Sequence, residues 1–230
     1  LIKIYKKKRV APIIDVLVIM DTSGSVGTKD ITNGYLNEIK GVVLSNPNLN
    51  LHCISADTEI KQSSSFIINA ENFKQYEENG FPFSGGGGTD MTRPLANQLV
   101  HVNKNFALTL IFSDGEYPVF SKDEINALIL DEYEKFTKKK PSLKTLKERK
   151  DYQENVLRLK KMKIKPSSNC YIPPIILLNT RELVFRGSKH SPAFDSWKGG
   201  LQEFLIDVNK NNSTNKNKQR IVVTKPRRRW

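Results

Sequence analysis

The chain has 230 residues, room for one substantial α/β core with appendages. A net charge of +13 and a pI near 9.6 make its surface strongly basic; this suits acidic partners without choosing among nucleic acid, anionic membrane and acidic protein, and equally suits a Lys/Asn-rich surface with no such partner. Two cysteines and no apolar run of membrane-spanning length exclude a disulfide scaffold and a transmembrane helix.

The opening "LIKIYKKKRVA", residues 1–11, reads as a basic N-terminal segment, its apolar part too short for a signal peptide. "PIIDVLVIM", residues 12–20, is a nearly continuous, β-branched apolar run, as expected of a parallel strand buried on both faces. "DTSGSVG" follows, so polar oxygens and glycines stand where that strand would reach the surface. In "TKDITNGYLNEIKGVVL", Ile31, Leu36, Ile39, Val42 and Val43 recur at roughly helical spacing, with Thr28 or Asp30 as the cap. "NPN" breaks the helix and "LNLHCIS" reads as a second strand, which completes a βαβ unit. Cys53 in that strand reads as a buried free thiol rather than half of a disulfide with Cys170; this points to an intracellular chain or an intracellularly assembled particle.

"EIKQSSSFII" has the polar alternation of an edge strand, and "AENFKQYEENG" that of a short helix or loop. "FSGGGGTD" is a glycine loop, and "MTRPLANQLVHVN" a helix with Pro94 near its start. "ALTLIFSDG" repeats the opening pattern of an apolar strand ending in polar residues, here Ser113, Asp114 and Gly115. Residues 121–168 read as a charged helical insertion, too long for a plain crossover: either a solvated hairpin or a docking arm. "PPIILLNT" is a further buried strand, and "GLQEFLIDV" a short helix running into a strand, or a strand alone. The whole of 12–208 then forms one α/β domain: a doubly wound, mostly parallel central sheet with helices on both faces. Residues 209–230 are a polar linker and a basic tail; Arg227, Arg228 and Arg229 either belong to a disordered end or anchor the chain to an anionic partner.

Asp21, Ser23 and Ser25 follow the first strand, Thr89 follows four glycines, and Asp114 follows a later strand. In a parallel sheet such loops gather at the C-terminal edge of the strands. Hydroxyls, carboxylates and water suit a hard divalent cation, Mg²⁺ first, with Mn²⁺ or Ca²⁺ as alternatives. Gly24 and Gly27 would let the first loop turn sharply, and Gly85, Gly86, Gly87 and Gly88 would let backbone approach the ion. The competing reading is that these serines, threonine and aspartates only cap helices and turns. Catalysis finds little support: the chain has no His-Glu-x-x-His, no Walker A lysine and no Gly-x-Ser-x-Gly, and His52, His101 and His190 are scattered.

"DTSGS", the threonine of "GGGGTD" and the aspartate of "FSDG" resemble the metal-ion-dependent adhesion site of the von Willebrand factor A (vWA) domain, whose pattern is Asp-x-Ser-x-Ser, a distant Thr and a distant Asp. The glycine run before Thr89, with Asp90 after it, looks most like bacterial vWA-like proteins associated with predicted metallopeptidases. The resemblance covers residues 12–118 well and continues at 174–179. It implies that Ser23 and Ser25 bind the ion through their hydroxyls, Thr89 directly or through water, and Asp21 and Asp114 mainly through bound waters. It further implies a non-catalytic module whose ion takes an Asp or Glu carboxylate from a protein partner, with a MoxR-type ring ATPase as one candidate. The alternative is a structural component of a ribonucleoprotein or virus particle, holding nucleic acid through its basic regions and keeping only a vestigial metal site.

Overall fold

A computed structural model describes residues 11–26, 29–60, 65–83, 85–115, 121–138, 146–161, 172–179 and 201–205. Strand β1 (Ile14–Asp21) leads into helix α1 (Lys29–Ser45), followed by β2 (Leu49–Ala56) and β3 (Phe66–Ile68). Helices α2 (Phe73–Asn79) and α3 (Thr92–His101) precede β4 (Leu108–Ser113), and α4 (Lys122–Lys138) and α5 (Leu146–Lys161) precede β5 (Ile175–Asn179) and β6 (Leu201–Leu205). The strands form one sheet in the order β3-β2-β1-β4-β5-β6. Every pairing is parallel except that of β3, the edge strand, with β2. The sheet is thus the mostly parallel one expected, and "GLQEFLIDV" contributes a strand at 201–205.

β1 is central because both of its faces are apolar. Leu17 and Ile19 point into one core with Ile54, Leu95, Leu99 and Ile111, under α3, α4 and α5. Val16, Val18 and Met20 point into the other, against Tyr35, Ile39 and Val43 of α1 and Phe73 of α2. The alternation follows from the two-residue period of a strand, and the i, i+4, i+8 spacing of Tyr35, Ile39 and Val43 sets them on one stripe of the helix.

The described parts of the charged segment after β4 are helical, at Lys122–Lys138 and Leu146–Lys161, but they are not a wholly solvated hairpin. Ile125 and Ile129 of α4 and Leu159 of α5 are fully buried in the same core as Leu17 and Ile19. Their side chains cover a sheet face that would otherwise meet water, so the solvated-hairpin reading is corrected at these residues. α5 also closes the C-terminal end of α3: Arg158 Nη2 donates to the carbonyls of Leu99 at 2.9 Å and Val100 at 3.2 Å, and Asn155 Nδ2 to that of Val100 at 3.1 Å. A guanidinium at a helix C-terminus satisfies orphan carbonyls and meets the negative end of the helix dipole. Burial pushes the Arg158 guanidinium down to about 10.

α1 begins at Lys29, so Asp30 lies in its first turn rather than before it, and Thr28 lies outside the described residues. Residues 1–10, with the basic N-terminal stretch, Cys170, His190 and residues 209–230, with Arg227, Arg228 and Arg229, also lie outside them. Cys53 is a buried free thiol, and burial raises its pKa. No helix among the described residues is long and apolar enough to cross a membrane.

Candidate functional site at the C-terminal edge of the sheet

The order of the sheet fixes where chemistry can gather. From β1 the chain proceeds outward to β2 on one side, and later returns to β4 on the other. The connections that follow β1 and β4 therefore lead to opposite sides of the sheet, and the C-terminal ends of two such strands are where open α/β sheets gather their ligands. Asp21 is the last residue of β1 and Ser113 the last of β4.

At that point Ser113 Oγ donates to Asp21 Oδ2 at 2.5 Å, and the Ser23 amide donates to Asp21 Oδ1 at 2.9 Å. Ser23 Oγ lies 3.3 Å from Ser25 Oγ, and the Gly115 amide donates to Ser113 Oγ at 3.1 Å. Asp21, Ser23 and Asp114 are buried, while Ser25 is exposed, so the cluster runs from the interior to the surface. Burial raises the Asp21 carboxyl above its ordinary value, and the neighbouring Asp114 charge adds to this; the bonds from Ser113 and Ser23 pull the other way without cancelling it. Two buried aspartates beside the hydroxyls of Ser113, Ser23 and Ser25 form an oxygen-donor set of the kind that suits a divalent cation. Among the described residues, no group of three or more His, Cys, Asp or Glu could hold a metal, so a cation at this edge would depend on the hydroxyls.

The glycine loop lies over the same edge. The Gly24 amide donates to the Gly87 carbonyl at 3.2 Å, which ties the loop to "DTSGS". A Cβ on Gly85 would fall 2.1 Å from Thr22 Oγ1, and one on Gly87 would fall 2.9 Å from Asp57 Oδ2. Gly86 has φ +123°, a conformation that side chains rarely adopt. The close approach made by these glycines is thus to Thr22 and Asp57. Gly24 has neither a positive φ nor an atom within 4 Å of an added Cβ, so the expected steric need for glycine there is not found. Gly88 leaves ordinary van der Waals room beside Thr58, and Gly27 lies outside the described residues. Thr89 is half-buried two residues past Gly87; Asp90 accepts from the Thr92 amide at 2.9 Å and so serves the first turn of α3.

Four contributors escape a reading of the sequence pattern. Ser113 orients Asp21. Asp57, immediately after β2, accepts from the Gly87 amide. Tyr35 donates to the Asp21 carbonyl at 3.4 Å, and Phe83 packs edge-on against Tyr35 with ring centroids 6.3 Å apart, which places the start of the glycine loop. Ser113 and Asp57 share a legible signal, a polar residue at the end of an apolar strand. Tyr35 and Phe83 carry none beyond their aromaticity.

The two described histidines stand apart from this edge. His52 Nε2 lies 2.7 Å from Asp15 Oδ1, near the start of β1, and His101 Nε2 lies 2.9 Å from Glu132 Oε2 on α4.

No curated protein matches the chain. Among solved structures, an aerotolerance-related membrane protein from Bacteroides fragilis is 12% identical, with a TM-score of 0.44, over 86% of this chain and 94% of that one. The PilB minor pilin of Streptococcus sanguinis is 13% identical, with a TM-score of 0.47, over 89% of this chain; the match spans only 60% of the pilin. The family model described as "VWA-like domain (DUF2201)" matches residues 16–116, a span that contains Asp21, Ser23, Ser25, Thr89 and Asp114, and the mixed α/β sheet observed here is consistent with a VWA-like fold.

Proposed function

We propose that the chain is a non-catalytic protein-interaction module that takes an acidic side chain of a partner through Mg²⁺ at the edge between β1 and β4. The observation that carries this reading is the buried Asp21 carboxylate, held by Ser113 and Ser23 beside a second buried carboxylate, with the hydroxyls of Ser23 and Ser25 leading out to solvent. Ser23 and Ser25, with Thr89, would hold the cation; Asp21 and Asp114 would supply the charge that retains it and accept hydrogen bonds from its waters. A cation held mainly by neutral hydroxyls would keep enough electrophilic character to attract an incoming carboxylate. Among the described residues, His52 pairs with Asp15 and His101 with Glu132, so neither of these imidazoles is positioned to activate Ser23. A MoxR-type ring ATPase is one candidate partner, by the vWA resemblance.

The test is retention of partner proteins on the immobilised chain in Mg²⁺, with and without EDTA. The reading predicts that EDTA releases a partner and that Ser23→Ala fails to retain it. Retention that survives both treatments, or that falls only with rising salt, would overturn it in favour of a basic-surface, nucleic-acid-associated component.

A further inference from the structure

Thr89 is bracketed by a single residue, Asp57, that lies immediately after β2. The Gly87 amide, two residues before it, donates to Asp57 Oδ2 at 3.2 Å, and the Asp90 amide, one residue after it, donates to the Asp57 carbonyl oxygen at 2.7 Å. Asp57 is itself nearly fully buried, and its other carboxylate oxygen accepts from the amides of Thr58 at 2.6 Å and Glu59 at 3.2 Å. That oxygen fixes the turn after β2; Oδ2 faces the glycine loop. The absence of a side chain at Gly87 makes the approach possible, because a Cβ there would meet Oδ2 at 2.9 Å. Two bonds spanning residues 87–90 leave the intervening Thr89 little freedom along the loop, although four successive glycines would otherwise give this segment the most conformational freedom of any in the chain.

We infer that Asp57 is a positioning residue: it clamps the glycine loop on both sides of Thr89 and so places the threonine for the cation. This rests on the functional reading above. Asp57 acts through the loop backbone and contributes no oxygen to the ion. Residues that orient ligands from behind typically change metal affinity about ten- to a hundredfold when removed.

Asp57→Asn isolates the clamp. Its single carbonyl oxygen can keep the turn amides of Thr58 and Glu59, which leaves an NH₂ group facing the Gly87 amide, donor against donor. Asp57→Ala removes every bond to the carboxylate, those from Thr58 and Glu59 as well as that from Gly87, keeps the main-chain bond to Asp90, and serves as the harsher variant. Mn²⁺ affinity is measured by electron paramagnetic resonance on the full chain, and amide hydrogen exchange is followed at Gly87, Asp90 and, as a control, Val18. Asp57→Asn is expected to weaken Mn²⁺ binding about tenfold or more and to speed exchange at Gly87, with Asp90, whose acceptor is the main-chain carbonyl of residue 57, affected less and Val18 still protected. In a Thr89→Ala background the same substitution should weaken Mn²⁺ little further, since two residues acting as one unit are not additive. Unchanged affinity in folded Asp57→Asn, an equal loss with and without Thr89, or unchanged exchange at Gly87 would overturn the inference. If the unsubstituted chain bound no Mn²⁺, the functional reading would fall; the clamp would still be decided by the exchange rates.

Discussion

Ser113 and Asp21 lie 92 positions apart in the chain, yet the Ser113 hydroxyl donates to Asp21 Oδ2 at 2.5 Å. They end the adjacent parallel strands β4 and β1, and that bond joins the C-terminal ends of the two. Burial and the Asp114 charge both work against the ionised form of Asp21, and Ser113 is the first of the bonds that offset them. Ser113→Ala should therefore cost about 1–2 kcal/mol by chemical denaturation and weaken divalent-cation affinity about tenfold, as loss of an orienting partner does. The Ser113→Thr variant keeps the hydroxyl and should recover most of the affinity. Equal affinities for the alanine variant and the parent chain would show that the bond has no bearing on the site.

Gly86 and Gly24 should respond differently to the same substitution. Gly86→Ala forces a side chain onto a backbone with φ +123°, at a cost of about 1–3 kcal/mol. Gly24→Ala enters open space at an ordinary φ, so its stability should stay within about 0.5 kcal/mol of the parent. Denaturant midpoints of the two variants decide the point, and a Gly24→Ala loss as large as that of Gly86→Ala would contradict the loop geometry.

Glu132 ties α4 to α3. Burial raises its carboxyl pKa, but hydrogen bonds from His101 and Lys135 outweigh that and hold it below the ordinary value of 4.5. A depressed folded-state value means that the carboxylate stabilises the fold above the unfolded value and that this contribution is lost as pH falls through the folded one. Glu132→Gln should thus lower stability by about 0.5–1.5 kcal/mol at neutral pH, with the difference closing in acid once Glu132 is protonated. Unfolding curves of the two proteins that stay equally separated at both extremes would rule this out.

Much of the architecture is legible in the residues alone. The apolar runs of β1, β2, β4 and β5 announce buried parallel strands, because a strand covered on both faces has no use for polar alternation. Less legible is what covers them. α4 and α5 are so rich in Lys and Glu that their periodicity reads as a solvated arm, while Ile125, Ile129 and Leu159 are fully buried and Leu128, Leu130, Tyr133 and Phe136 pack against the same core. At the site, Asp21, Ser23 and Ser25 stand out because two serines and an aspartate alternate directly after an apolar strand. Asp57 hides in "SADTEI", where a lone aspartate looks like any turn residue; its role depends on a glycine 30 positions away. Ser113 hides for the same reason, since its partner is set by strand order rather than by local sequence.

Divalent-cation binding by the intact chain tests the central claim most directly. Thermal unfolding in EDTA and in Mg²⁺, alongside calorimetric titration, should show saturable binding and a higher melting temperature; a stabilisation of about 2.7 kcal/mol corresponds to Mg²⁺ at a hundred times its Kd. Ser23→Ala should abolish both effects while leaving the melting temperature in EDTA close to that of the parent. A parent chain that takes up no Mg²⁺ or Mn²⁺, or a Ser23→Ala variant that binds as the parent does, would contradict the account.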